Sequence, residues 1–246
     1  MRNRSVPKYA LLRMEDVFGR VATSEVWANP LPWNNWLVGI GTMQVAAKPG
    51  PRLGHELVYD QHLRQVLLLD GYWTETNQSE SASIWAWGGN RWEPVPGLGP
   101  SSRSMASAVF DARRRRLVLY GGRGKDGKWL GDTWEWDGKS WLQMADASAS
   151  ARIHHAMAYD AGRGRVVMYG GTTREGWDTS TWEWDGARWA RIAMSGPEPR
   201  AAFGMVYDRK RKQIVLFGGV GPPPSVVGLN LITTTPGFGM EERGGK

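Results

Sequence analysis

Apolar residues along this chain fall in short runs that return at regular intervals. "QVLLLDG" at 65–71, "RLVLYGG" at 116–122, "RVVMYGG" at 165–171 and "QIVLFGG" at 213–219 each place apolar positions before a closing glycine. Runs of that length bounded by turn residues read as buried strands. Ten residues before the last apolar position of each run stands an aromatic followed by aspartate: Tyr59-Asp60, Phe110-Asp111, Tyr159-Asp160 and Tyr207-Asp208. The stretch leading to it, as in "HAMAYD", reads as a shorter strand. Beyond the glycines, three of the four units carry a W-x-W pair and a further Trp: Trp85, Trp87 and Trp92; Trp134, Trp136 and Trp141; Trp182, Trp184 and Trp189. Tryptophans two apart share one face of a strand. The third lies across a hairpin, where aromatic pairing is favourable. The Asp-Gly between them suits a tight hairpin, because glycine accepts positive φ. Each unit is therefore predicted as four strands, with the tryptophans as large fillers between sheets. The period is set by Arg52, Arg103, Arg152 and Arg200, which stand 51, 49 and 48 residues apart.

A period near fifty with one four-stranded sheet per unit is that of a β-propeller blade. The units resemble kelch repeats: strand, Tyr-Asp loop, apolar strand closed by Gly-Gly, variable loop, D-T-W-x-W and a final Trp. "HHAMAYDAGRGRVVMYGG" with "DTSTWEWDGARW" resembles the form common in bacterial kelch proteins. The likeness covers about residues 50–219. It implies an all-β, kelch-type β-propeller, related in fold to the galactose oxidase central domain. Three full blades are expected, at about 52–98, 103–145 and 152–194, with partial units at 21–46 and 200–219. Residues 1–20 read as a leader and 220–246, with three consecutive prolines and no Trp, as an irregular tail. Two arrangements follow. The partial units complete one another in a four-bladed ring, or the chain is a fragment of a larger six- or seven-bladed propeller and the ring is open.

Composition narrows the chemistry. The chain has 246 residues, 15 Trp, 32 Gly and no cysteine. Many short strands joined by tight turns fit that balance. Disulfides, thiolate metal sites and cysteine nucleophiles are excluded. The net charge of +7 favours acidic partners in general and names none; a basic, soluble surface accounts for it better. The N-terminal stretch is interrupted by Arg13, Glu15 and Asp16 and does not read as a signal peptide. No apolar run is long enough to span a membrane, and no compartment is indicated.

The candidate ligand-binding residues cluster on the face formed by the loops after the second strands. Trp73, Trp129 and Trp177 lie in those loops, outside the packing phrase. Arg52, Arg103, Arg152 and Arg200 stand before the first strands, with His55, His154 and His155 nearby. Arginines beside exposed aromatics grip a carboxylated sugar or an acidic peptide through bidentate bonds and stacking. Alternatively the arginines recur because the fold needs them, paired with backbone carbonyls or with Asp132 and Asp178. The runs "DARRRR", "DAGRGR" and "DRKRK" read as solvated hairpin tips; no aromatics interleave them, and no nucleic-acid partner is expected. The repeated aspartates read as turn formers that bond nearby backbone.

Catalysis finds little support. Of the four histidines, His55 and His155 share a repeat position that holds Ala106 and Phe203 in the other units. No catalytic residue, metal ligand set or cofactor is expected. The resemblance covers proteins of several functions: binding modules, a copper-dependent sugar oxidase and a sialic-acid epimerase. The oxidase chemistry needs a cysteine-linked tyrosine and cannot be carried over here. The expectation is a non-catalytic interaction module that presents its loops to a protein or glycan. The alternatives are a carbohydrate-active enzyme with an axial site near Arg103, Arg152 and His155, and a truncated propeller without independent function. An open ring would also allow self-association.

Overall fold

The computed structural model describes residues 9–15, 21–27, 49–69, 71, 84–95, 99–144, 148–194, 196–222, 230–235 and 238–242, the first two and last two of these spans by their backbone. The chain forms two compact units, Met1–Val45 and Ala46–Lys246.

In the first unit Tyr9–Glu15 pairs antiparallel with Val21–Trp27, Tyr9 opposite Trp27 and Glu15 opposite Val21. Residues 1–20, predicted as a leader, thus contribute a strand. Residues from 21 onward, predicted as a third and fourth strand, pair first with the segment before them. Trp33 and Trp36 lie outside the described residues.

The second unit is all-β, built among the described residues of four antiparallel four-stranded sheets, each with its strands in chain order, and two small ladders of two-residue strands. Sheet one comprises Glu56–Asp60, Gln65–Leu69, Ile84–Trp87 and Trp92–Pro94. Sheet two comprises Ser107–Asp111, Arg116–Tyr120, Thr133–Trp136 and Trp141–Met144. Sheet three comprises Ala156–Asp160, Arg165–Tyr169, Thr181–Trp184 and Trp189–Ala193. Sheet four comprises Gly204–Asp208, Gln213–Phe217, Asn230–Thr235 and Phe238–Glu242. The first strands lie side by side in order, sheet one beside two, two beside three, three beside four. No closed ring is found among the described residues, and no helix among them is long and apolar enough to cross a membrane.

Sheet four corrects the irregular tail. "NLITTT" is rich in β-branched residues, which favour strands. It pairs with the second strand of its sheet, Ile214 opposite Ile232 and Val215 opposite Leu231. It carries no tryptophan, the marker by which third strands are legible in the other units.

Local chemistry sets the turns. Asp60 Oδ1 accepts the N–H groups of His62 and Leu63 at 2.8 and 2.9 Å. Asp111 does the same for Arg113 and Arg114, Asp160 for Gly162 and Arg163, and Asp208 for Lys210 and Arg211. Each aspartate replaces backbone partners lost where the chain reverses. In the Asp-Gly hairpins Gly138 and Gly186 take φ of 96° and 104°, as a tight turn requires.

The core is three apolar layers, one between each pair of consecutive sheets. Paired tryptophans recur in the first three sheets with centroids 5.6, 5.6 and 5.5 Å apart: Trp87 with Trp92, Trp136 with Trp141, Trp184 with Trp189. In sheet three their indoles also reach across to sheet two. Trp184 Nε1 donates to Glu135 Oε1 at 2.8 Å and Trp189 Nε1 to Thr133 Oγ1 at 2.9 Å. The equivalent Trp136 and Trp141 nitrogens have no such partner, because sheet one offers Ala86 and Ile84 at those repeat positions.

Candidate functional site

The recurring arginines are structural clamps. Arg103 is fully buried, and its Nη1 and Nη2 donate to Asp132 Oδ1 and Oδ2 at 2.6 and 2.9 Å. Nη1 also donates to Gly121 O at 3.0 Å and Nε to Ser101 O at 3.0 Å. Arg152 donates in the same way to Ser150 O at 3.1 Å and Gly170 O at 3.2 Å, and its Nη2 forms an ion pair with Asp178 Oδ2 at 2.8 Å without hydrogen-bond geometry. Arg200, fully buried, donates to Glu198 O at 3.2 Å and Gly218 O at 3.3 Å. Arg52 is half-buried and donates to Gly50 O at 3.2 Å. Burial alone would push the Asp132 carboxyl up, but the Arg103 hydrogen bonds and charge hold it below the usual carboxylate range. Of the two readings of these arginines, pairing with carbonyls and with Asp132 and Asp178 is the one whose bonds are present.

The same arginines rivet successive sheets. Gly71, Gly122 and Gly171 donate their N–H groups to the carbonyls of Arg103, Arg152 and Arg200, each at 2.9 Å. Side chains at these glycines would collide: a Cβ at Gly122 would lie 2.8 Å from Ser104 O, and at Gly171 2.6 Å from Ile153 O. Two residues after each arginine the backbone turns left-handed, with φ of 65° at Gly54, 60° at Met105, 57° at His154 and 54° at Ala202. These residues form a main-chain relay. Met105 N–H donates to Gly54 O at 2.9 Å, His154 N–H to Met105 O at 3.0 Å and Ala202 N–H to His154 O at 2.9 Å.

His155 is equally committed. Its ring packs edge-on against Tyr120, centroids 5.6 Å apart, as Phe203 at the same repeat position packs against Tyr169 at 6.0 Å. Burial, with lesser contributions from Arg152 and His154, holds its pKa well below that of a free imidazole, so the ring is neutral. The position is an aromatic filler. His55, its counterpart in sheet one, is exposed.

The loop tryptophans differ from one another. Trp129 is half-buried and bridged to Arg123. Trp177 pairs with Thr172 in a small ladder and is 38% exposed. Trp73 lies outside the described residues. In the basic runs, Arg114 is no solvated tip: it bonds Asp111 Oδ2 and Glu135 Oε1, each at 2.7 Å. Arg163 Nε donates to Asp160 Oδ2 at 2.7 Å, and its Nη2 forms an ion pair with Glu183.

One concavity draws on all four sheets. A cleft of about 480 Å³ is lined by their first strands. Its lining includes Glu56, Gln61, Ser107 and Arg209, with Tyr59, Tyr159 and Tyr207. Burial pushes the Glu56 carboxyl up to about 7, against a hydrogen bond from Ser107 that lowers it. Glu56, Ser107, Ala156 and Gly204 share one repeat position. A glutamate where the other units carry small residues was the available signal for this cleft in the sequence. Among the described residues no three His, Asp or Glu side chains converge as metal ligands.

No family model and no curated protein matches the chain. Among solved structures it is similar to YjhT, with a TM-score of 0.62 at 13% identity, covering 80% of this chain and 66% of that one. The chain thus spans 66% of the length of YjhT, and the likeness is one of β-rich fold.

Proposed function

We propose that the four sheets are blades of a kelch-type β-propeller and that the chain is a non-catalytic binding module for a protein or glycan. The ligand sits in the first-strand cleft. The observation that carries this reading is the cleft itself, to which every sheet contributes its first strand. The rival axial site near Arg103, Arg152 and His155 has its polar groups sealed in clamps and packing. Glu56 faces the cleft without a second carboxyl or a histidine among the lining residues, which suits a hydrogen-bonding contact better than acid–base chemistry. A site of this size, lined by tyrosines with a few polar groups, is an ordinary ligand pocket.

The exposure of Trp177 favours a second reading, in which the loops hold the ligand. Two variants separate them on glycan and peptide arrays. Gly204 lines the cleft, and a Cβ there meets only Phe217 O at 3.8 Å, so the backbone leaves room for a side chain and Gly204→Trp directs a large one at the cleft. It is expected to weaken binding by at least about tenfold, the loss of roughly 1.4 kcal/mol. Trp177→Ser is expected to leave binding near wild type. The opposite pattern assigns the ligand to the loops, and no binding by the wild-type chain contradicts both.

A further inference from the structure

Among the described residues the repeat leaves an exposed apolar face at each end. Leu69, Tyr120, Tyr169 and Phe217 occupy one repeat position; the first three are fully buried by the sheet that follows, and Phe217 is 68% exposed. Val206, equivalent to Val109 and Ala158, is 62% exposed on the same face of sheet four. On sheet one, Leu57 and Tyr59 are 55% and 52% exposed, where Ala108 and Phe110 of sheet two are buried against the preceding sheet.

The hydrogen-bond series stop at the same two places. Among the described residues the relay ends in the N–H of Gly54 and the carbonyl of Ala202. Gly219, next in the series of Gly71, Gly122 and Gly171, has no following arginine carbonyl there. Between sheets, Tyr159 Oη accepts the Arg113 N–H at 3.1 Å, and Tyr207 is held by Asp160 and the Gly162 N–H. Tyr159 also bonds Asp111, so these two boundaries each join a tyrosine to the preceding turn aspartate; among the described residues Tyr59 has no such aspartate before it and Asp208 no such tyrosine after it. The end at sheet four therefore offers an acceptor and an apolar face, and the end at sheet one offers the matching donor and plug.

We propose that this chain associates head to tail with a second copy of itself, sheet one of one copy docking on sheet four of the other as the next unit would. The surfaces differ at the two ends, so the contact is heterologous and closes a ring or extends a filament according to the angle between copies. The proposal goes beyond the cleft reading and does not depend on a ligand.

Internal contacts supply the test. Val58 packs in one cluster with Ala108, Val109 with Met157, and Ala158 with Met205; Val206 with Leu57 is the fourth member of that series. The chain has no cysteine, so Val206→Cys and Leu57→Cys each introduce a single thiol. Under mild oxidation, a mixture of the two variants is expected to give disulfide-linked dimers that neither gives alone. Sedimentation of wild type is expected to show mass rising with concentration, and Phe217→Asp to raise the midpoint of that rise by roughly tenfold or more. A single-chain mass at all concentrations, cross-linking of one variant with itself, or an intrachain disulfide in a monomeric double variant would overturn the proposal.

Discussion

Replacing Trp184 with alanine is expected to lower the unfolding free energy by about 3–5 kcal/mol, the range for removing a large aromatic from a packed core. The indole is almost wholly buried between sheets two and three, and its nitrogen donates to Glu135. Truncation removes apolar contact with both sheets and one bond to a charged acceptor. Trp136→Ala provides the internal comparison. That indole is buried in the equivalent layer but has no partner for its nitrogen. Its loss is expected to be smaller, by about the 1.5–3 kcal/mol of a hydrogen bond to a charged group at most. Urea melts of both variants check the order. A Trp184→Ala variant within about 0.5 kcal/mol of wild type, as for a surface substitution, would contradict the packing role.

Arg103→Met is expected to cost about 3–5 kcal/mol, because it leaves a carboxylate and a buried carbonyl without their donor. Asp132 keeps the Trp134 indole, which donates to its Oδ2 at 2.6 Å, but loses both guanidinium bonds, and Gly121 O loses its guanidinium. Lysine is not a substitute, since the planar fork reaches two carboxylate oxygens and a carbonyl at once. Adding Asp132→Leu to Arg103→Met is expected to restore part of the loss, as buried pairs replaced together do. Denaturant melts of the single and double variants measure this. An Arg103→Met chain of wild-type stability would return the arginine to the role of a ligand contact.

The repeat was legible because its residues act locally and identically in each unit. Tyr-Asp marks a turn whose carboxylate caps two N–H groups, Gly-Gly marks a left-handed crossing against the next unit, and the tryptophans mark a third strand. Where those signals lapse, the sequence reading failed. Asn230–Thr235 forms a strand without tryptophan, so the fourth sheet read as a half unit. Tyr9–Glu15 pairs with a neighbour whose register no motif announces.

The candidate site was harder to read, because a repeated residue is ambiguous by nature. Arg103 and Arg152 recur because their side chains tie a carbonyl and an aspartate into their own unit, while Gly122 and Gly171 recur because a Cβ there would collide with a carbonyl. His155 drew attention as a titratable group, yet Phe203 at the same position shows what the fold asks of it. Glu56 is not legible as a site residue from the repeat, because it departs from it. Its neighbours in the cleft come from strands about fifty residues apart, and only the side-by-side packing of first strands brings them together.

The most direct measurement is amide hydrogen exchange at the residues that join the sheets, recorded on dilute protein. Met105, His154, Ala202, Gly122 and Gly171 donate across sheet boundaries and are expected to be strongly protected. Gly54 and Gly219 stand at the unfilled ends and are expected to exchange rapidly, slowing only as concentration rises. Rapid exchange at Met105 and His154 would contradict the relay that unites the four sheets. Protection of Gly54 and Gly219 at the lowest concentration would show the two ends joined within a single chain.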